Sequence, residues 1–305
     1  MENRKFSSLV NEIMELKKQR NAIILVHNYQ RGEVQDVADY VGDSLGLSQN
    51  AARSDAEVIV FCGVHFMAET ASILCPDKTV LMPDVRAGCP MANMITEEAL
   101  HTLKDNHPEA TVVCYINTSA DVKAESDICC TSSNAVKVVE SICEPEVIFV
   151  PDKYLAHYVS TKTEKKIISW NGFCPTHVKI LPEHVLMQKK LHPEAEVMVH
   201  PECTSPVIAL ADEVFSTGGM CRHAQESKAC EIIVGTEVGI LHKLRKENPN
   251  KTFYPASESA ICPNMKLTTL EKVLWSLQDM KNEIRVSQDI QLRAKKAIDK
   301  MLEIG

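Results

Sequence analysis

The chain repeats itself three times, and this recurrence limits its fold more than any other feature. The apolar run AIILVHNY (22–29) returns as ATVVCYIN (110–117) and as AEVMVHPE (195–202). With His27, Ile116 and His200 taken as equivalent, the offsets are 89 and 84 residues. A second set is VIVFCGVHFMAETASIL (58–74), VIFVPDKYLAHYVSTKT (147–163) and IIVGTEVGILHKLRKEN (232–248). It pairs Gly63, Pro151 and Thr236 at offsets of 88 and 85. A third, short set is TVLMP (79–83), KIISW (166–170) and KTFYP (251–255).

Members of the second set are a short apolar strand, a turn and a helix-patterned stretch. Strands alternating with helices signal right-handed βαβ units and parallel sheets. Further helices over 97–106 and 183–191 lead into the next unit. An amphipathic N-terminal helix, with Phe6, Leu9, Val10, Ile13 and Leu16 at helical spacing, does so for the first. The expected architecture is α/β, with three pseudo-threefold-related αβα units built on short parallel sheets. Their boundaries are 1–88, 89–173 and 174–262, and residues 263–305 supply two helices that pack back on the body. Ligands of such sheets bind at the carboxyl ends of strands, so the active site is expected at the common interface of the units.

A formal net charge of −8 argues against nucleic acid and against a basic membrane contact. The first twenty residues are too polar for a signal peptide, and no stretch is apolar enough to span a bilayer. The cytoplasm is the expected compartment.

There, twelve cysteines are many, since disulfides do not accumulate in reducing conditions. Cys62 and Cys114 lie inside apolar strands and read as small buried hydrophobes. Three others share a place in the repeat: Cys89, Cys174 and Cys262, each within seven residues of the third strand's end and each followed by proline. Cys75-Pro76 falls outside the pattern, so the periodic position matters and not the dipeptide. Three equivalent loops can bring three thiolates to one point. No Cys-x-x-Cys pair announces zinc, and the spacing of bacterial ferredoxins is absent. Three separated cysteines suit an iron–sulfur cubane with one iron open to substrate, and a three-cysteine zinc site is the competing reading.

Polar groups close the first strand of each unit: His27, Asn28 and Tyr29; Tyr115 and Asn117; His200 and Glu202. Hydroxyls follow some sixteen residues later, at Ser44, at Thr131 and Ser132, and at Ser216 and Thr217. Helix capping is the ordinary role for Ser44 and Ser132, and the same geometry binds anions. Arg86 reads as a loop ion-pair partner. The segment HNYQRGEVQD (27–36) contains Gly32 and reads as a loop able to carry Tyr29 over a ligand.

Taken in order, LVHNYQ, QDVADYVGDSLGLS, FCGVHFMAETASIL, PDVRAGCPMAN, YINTSADVKAESDICCTSSNAV, NGFCPTH, VHPEC, STGGM, GTEVGILHKL and CPNMK span nearly the whole chain. Together they resemble the quinolinate synthase family. The resemblance implies condensation of iminoaspartate with dihydroxyacetone phosphate to quinolinate, with loss of two waters and phosphate, in NAD biosynthesis. It implies a 4Fe-4S cluster on Cys89, Cys174 and Cys262. It implies substrate contacts at His27, Tyr29, Ser44, Tyr115, Asn117, Ser132, His200, Glu202, Ser216 and Thr217. Of these, Tyr29, His200 and Glu202 are the expected acid–base groups. Transient docking of the iminoaspartate-producing enzyme goes with such a reaction. Some members carry a Cys-x-x-Cys-x-x-Cys motif near the C-terminus, whereas here no cysteine follows Cys262. The competing functional readings are another open-cubane hydro-lyase, an iron–sulfur sensor and a zinc hydrolase.

Overall fold

In a computed structural model, residues 2–304 are described. Among them, one string of elements occurs three times. The first copy is α1 (Glu2–Gln19), β1 (Ala22–His27), α2 (Gly32–Gln35), β2 (Tyr40–Gly42), α3 (Ser44–Arg53), β3 (Val58–Cys62), α4 (His65–Leu74) and β4 (Thr79–Leu81). The second is α5 (Glu97–Asn106), β5 (Thr111–Tyr115), α6 (Ala120–Ala124), β6 (Ile128–Cys130), α7 (Ala135–Ser141), β7 (Glu146–Val150), α8 (Lys153–Ser160) and β8 (Lys166–Ser169). The third is α9 (Pro182–Leu191), β9 (Glu196–Val199), α10 (Ser205–Ile208), β10 (Glu213–Val214), α11 (Thr217–Glu226), β11 (Glu231–Gly235), α12 (Ile240–Glu247) and β12 (Thr252–Pro255). Helices α13 (Leu270–Asp279) and α14 (Gln288–Ile304) end the chain.

Each copy forms a four-stranded parallel sheet, in the orders β2-β1-β3-β4, β6-β5-β7-β8 and β10-β9-β11-β12. This is the expected α/β architecture of three parallel units. What the repeats hid is a small fourth strand in each sheet and the short helix before it. Strands of two or three residues, such as Tyr40–Gly42 and Glu213–Val214, are too short for a period-two signal.

These edge strands are held by a side chain that recurs. The residue before each is an aspartate, and its carboxylate accepts a backbone N–H of the neighbouring strand. Asp39 takes Ile24, Asp127 takes Val112 and Asp212 takes Val197, all at 2.8 Å. Each aspartate's own N–H returns a bond to the same residue's carbonyl, at 2.9–3.1 Å. A second device recurs at helix ends. Lys78, Lys165 and Lys251 reach the carbonyls of Ser54, Ile142 and Ser227, the C-caps of α3, α7 and α11. A cation there satisfies end carbonyls and complements the helix dipole.

The described residues form two compact units. One holds the residues up to Cys89 together with Cys262–Gln291, the other Pro90–Ile261 together with the residues from Leu292 on. In the first, Ile13 of α1 and Leu270, Val273, Leu274 and Leu277 of α13 pack on Ile24, Val26, Val58 and Val60 of the sheet. In the second, Val197, Val199 and Ile233 pack with Ile180, Val185 and Val207. Among the described residues, no helix is long and apolar enough to cross a membrane.

Candidate active site

The aspartate clamps fix the true equivalence of the strands. His27 pairs with Gly42 in register, three residues beyond the clamped Ile24, and Tyr115 pairs with Cys130, three beyond Val112. His27 therefore matches Tyr115, not Ile116, and the sequence alignment was out by one residue. Tyr29, Asn117 and Glu202 likewise share one position.

In the larger unit, these positions converge on Glu202, which is buried. Oε1 accepts the Tyr115 hydroxyl at 2.5 Å and Asn117 Nδ2 at 3.5 Å. Oε2 lies 2.8 Å from His177 Nδ1 and 4.0 Å from His200 Nδ1. Burial opposes a charge here. The imidazoles of His177 and His200 and the Tyr115 hydroxyl outweigh it and hold the carboxyl below its usual range. Glu202 is a buried carboxylate kept ionised by its neighbours.

His200 carries the network onward. Its Nδ1 accepts the Glu202 N–H at 3.3 Å, and its Nε2 lies 3.1 Å from Ser132 Oγ. The neighbouring hydroxyls Ser133 and Ser216 are 2.7 Å apart. Ser216 is also the N-cap of α11, accepting the Gly219 N–H at 3.1 Å, and Thr217 is the buried first residue of that helix. Capping, expected of Ser44 and Ser132, is found instead at Ser216. It does not hold for Ser132, whose hydroxyl faces His200, nor for Ser44, because Asp43 caps α3 through the Gly46 N–H. Asn117 Oδ1 is buried and has no hydrogen-bond partner among the described residues.

His177 is the residue that sequence reasoning missed, although NGFCPTH contains it. The ring is 1% exposed. Nδ1 lies 3.1 Å from Cys174 Sγ as well as beside Glu202, Nε2 meets Thr236 Oγ1 at 2.8 Å, and the ring stacks on His200 at 4.8 Å. Comparing the three cysteine loops would have found it. The place three residues after each cysteine holds Ala92, His177 and Met265, so the histidine breaks the repeat.

The loop of Cys174 is tightly anchored. Asp152 bridges Gly172, Lys153 donates its N–H to the Gly172 carbonyl at 2.9 Å, and a Cβ at Gly172 would stand 2.4 Å from the Pro151 carbonyl oxygen. Only glycine fits there. Asp152 caps α8, accepting the N–H groups of Tyr154 and Leu155 at 2.8 Å. Burial, and then the charge of Glu202, push its carboxyl well above the usual range. Two buried carboxyls of one unit are thus driven in opposite directions, a pattern typical of functional sites.

In the smaller unit, His27 and Tyr29 pack edge to face at 4.6 Å. His27 Nδ1 accepts the Tyr29 N–H at 3.2 Å, the same device as at His200. The turn after Tyr29 is held rather than loose. Gln35 donates to the carbonyls of Asn28 and Gln30 at 3.2 and 2.9 Å, and Gly32 merely begins α2. Arg86 pairs with Asp84 at 2.8 Å, as a loop ion pair should.

The cysteines sort by exposure. Seven are buried, among them Cys62 and Cys114, while Cys143 and Cys230 are exposed. Cys89, Cys174 and Cys262 alone are intermediate, and none of the twelve is in a disulfide. Cys129 and Cys130 form the buried edge strand β6.

An α/β protein of three parallel repeats, with an ionised buried carboxylate among imidazoles, a phenol and a thiol, has the equipment of an acid–base enzyme that can hold a metal. The profile of the Quinolinate synthetase A protein family (NadA) matches residues 11–303. Quinolinate synthase of Dehalococcoides mccartyi (strain CBDB1) is 58% identical over 294 residues, 96% of this chain and 97% of that protein. Quinolinate synthase of Methanosarcina barkeri (strain Fusaro) is 57% identical over 298 residues, 98% of each chain. That of Thermodesulfovibrio yellowstonii is 56% identical over 296 residues, 97% of this chain and 98% of the other. The chain belongs to the quinolinate synthetase A family.

Proposed function

We propose that this protein is a quinolinate synthase of NAD biosynthesis, condensing iminoaspartate with dihydroxyacetone phosphate to quinolinate, two waters and phosphate. Membership of the family supports the reaction, and the observation that carries the chemistry is Glu202, ionised inside a network of proton donors. Condensation and dehydration require protons to be taken from carbon and delivered to departing hydroxyls, and a buried carboxylate becomes a competent base once substrate displaces the donors that depress it. Glu202 is the base, and Tyr115 and His177 hold its lone pairs until substrate arrives. His200 and Tyr29 are the partner acid–base groups. Ser44, Ser132, Ser216 and Thr217, with His27 and Asn117, receive the carboxylates and phosphate. The orphaned Asn117 Oδ1 is an acceptor in want of a ligand donor.

Cys89, Cys174 and Cys262 hold a 4Fe-4S cluster. Among the twelve cysteines these are the ones neither sealed in the core nor fully open, as ligands at a substrate cavity should be. When bound, the cluster supplies a Lewis acid at its open iron. The repeats 1–88, 89–173 and 174–262 are its three units, and the enzyme is cytoplasmic, with transient docking of the iminoaspartate-producing enzyme.

One observation favours a second reading. Cys174, His177 and Glu202 present ligand atoms within 4.8 Å of one another, a set that suits a single zinc. Anaerobic purification, metal and sulfide analysis, and quinolinate assay of native and air-oxidised protein separate the two. About four irons and four sulfides per chain, with oxygen-sensitive turnover, are expected. One zinc and no sulfide would overturn the cluster assignment.

A further inference from the structure

Within the smaller unit, the turn that carries Tyr29 is tied to the turn that carries Cys262, and one residue makes both ends of the tie. The Lys266 N–H closes the cysteine's turn by donating to the Cys262 carbonyl at 3.3 Å. The Lys266 side chain donates through Nζ to the Tyr29 carbonyl. The clasp is reciprocal, since Arg31 Nε donates to the Lys266 carbonyl at 3.0 Å. Gln30, fully buried between the two, directs Nε2 at Met265 Sδ at 3.4 Å. With Gln35 on the flanking carbonyls, three successive carbonyls of the turn, those of Asn28, Tyr29 and Gln30, end on side-chain donors.

The same segment grips the Cys89 loop. Lys272 Nζ bridges the Leu267 carbonyl at 2.5 Å and Asp84 Oδ2 at 2.7 Å, and Asp84 is five residues before Cys89. The stretch 262–272 therefore braces both the turn of Tyr29 and the loop of Cys89.

We infer that Lys266 is a positioning residue that locks the Tyr29 turn to the Cys262 turn, so that the place of the phenol depends on whether Cys262 holds metal. This rests on the reading that Tyr29 acts on substrate and Cys262 ligates iron. An ammonium on a carbonyl is a charge-assisted bond, stronger than a neutral one. A neutral side chain of similar length leaves that carbonyl without its donor and frees the turn.

The test is Lys266→Met in anaerobically purified, iron-loaded protein. Hydrogen exchange over residues 27–36 is followed beside iron content, kcat and KM. Exchange at 28–31 should quicken by about tenfold, the effect of losing one such bond. Iron content should stay near that of the parent. The value of kcat should fall by about tenfold to a hundredfold, the cost of a misplaced catalytic group, with a smaller change in KM. Lys266→Arg should restore slow exchange and most of kcat. Removing iron from the parent protein should quicken the same peptide, and removing it from Lys266→Met should add little. Unchanged exchange at 28–31 in Lys266→Met, or a peptide indifferent to iron in the parent, would overturn the inference. Retention of full iron by Cys262→Ser would instead strike at the cluster assignment. The exchange comparison between the parent and Lys266→Met would still decide whether the clasp exists.

Discussion

The Tyr115 hydroxyl and Glu202 Oε1 are 2.5 Å apart, although 87 residues separate them in sequence. A hydroxyl this close to a carboxylate makes a strong, charge-assisted bond. Tyr115→Phe removes that donor and leaves a lone pair of a buried carboxylate unmatched. Quinolinate formation should fall by about tenfold to a hundredfold with cluster content intact. Glu202→Gln removes the carboxylate proposed as base and should cost about a hundredfold or more. Steady-state kinetics with parallel iron analysis checks both. Full turnover in Glu202→Gln would remove it from the role of base.

Thiol chemistry should follow burial. The thiolate is the reactive form, and burial pushes the thiols of Cys62 and Cys203 well above the ordinary value. In iron-loaded protein, Cys143 and Cys230 should alkylate quickly and the core cysteines hardly at all. Chelation of the iron should add Cys89, Cys174 and Cys262 to the reactive set. Peptide mapping after maleimide treatment reads this directly. Protection of these three that survives chelation would speak against their being ligands.

Asp84 makes the smaller unit sensitive to acid. Its hydrogen bond from Arg86, together with Lys272, holds its carboxyl well below the ordinary range. A carboxyl depressed on folding adds stability above its unfolded value near 3.9 and loses it as pH falls toward the folded one. Arg86 is exposed, so solvent screens its share. Asp84→Asn should cost about 1–2 kcal/mol at pH 7, and the deficit should shrink below about pH 4. Urea midpoints at the two pH values check this. A deficit that grows on acidification would contradict it.

The three aspartate clamps offer an internal comparison. Asp39→Asn, Asp127→Asn and Asp212→Asn each weaken one bond of the same kind and length, and Asp39→Asn also loses an ion pair with Lys17 at 2.6 Å. All three residues are exposed to solvent, so each of these bonds should be worth only about 0.5–1.5 kcal/mol. Chemical denaturation should rank Asp127→Asn and Asp212→Asn as equals, with Asp39→Asn lower by at most about 1 kcal/mol for its Lys17 pair. A large loss in one alone would mean that the repeats had ceased to be equivalent there.

Much of this is legible in the sequence. The principal strands β1, β3 and β4 and their copies stand out because each is an apolar run, and both faces of a parallel strand are covered. The strand-end residues Tyr115, Asn117, His200 and Glu202 were readable as one cluster because strand ends gather polar groups. The edge strands were not, since their residues are too few to show a period. The clamps had a signal that went unused: Asp39, Asp127 and Asp212 recur at offsets of 88 and 85, the spacing that also corrects the match of His27 to Tyr115. His177 was hidden for another reason. Its partners Glu202 and Thr236 lie 25 and 59 residues on, and only folding joins them.

The bond from a backbone N–H to Nδ1, present at both His27 and His200, has a directional consequence. A ring nitrogen that accepts cannot carry the proton, so in each neutral ring the hydrogen resides on Nε2. At His200 that hydrogen points at Ser132 Oγ, which must then turn its own hydrogen elsewhere. The main chain thereby gives the site a polarity. Donors run outward from the backbone, through imidazole to hydroxyl.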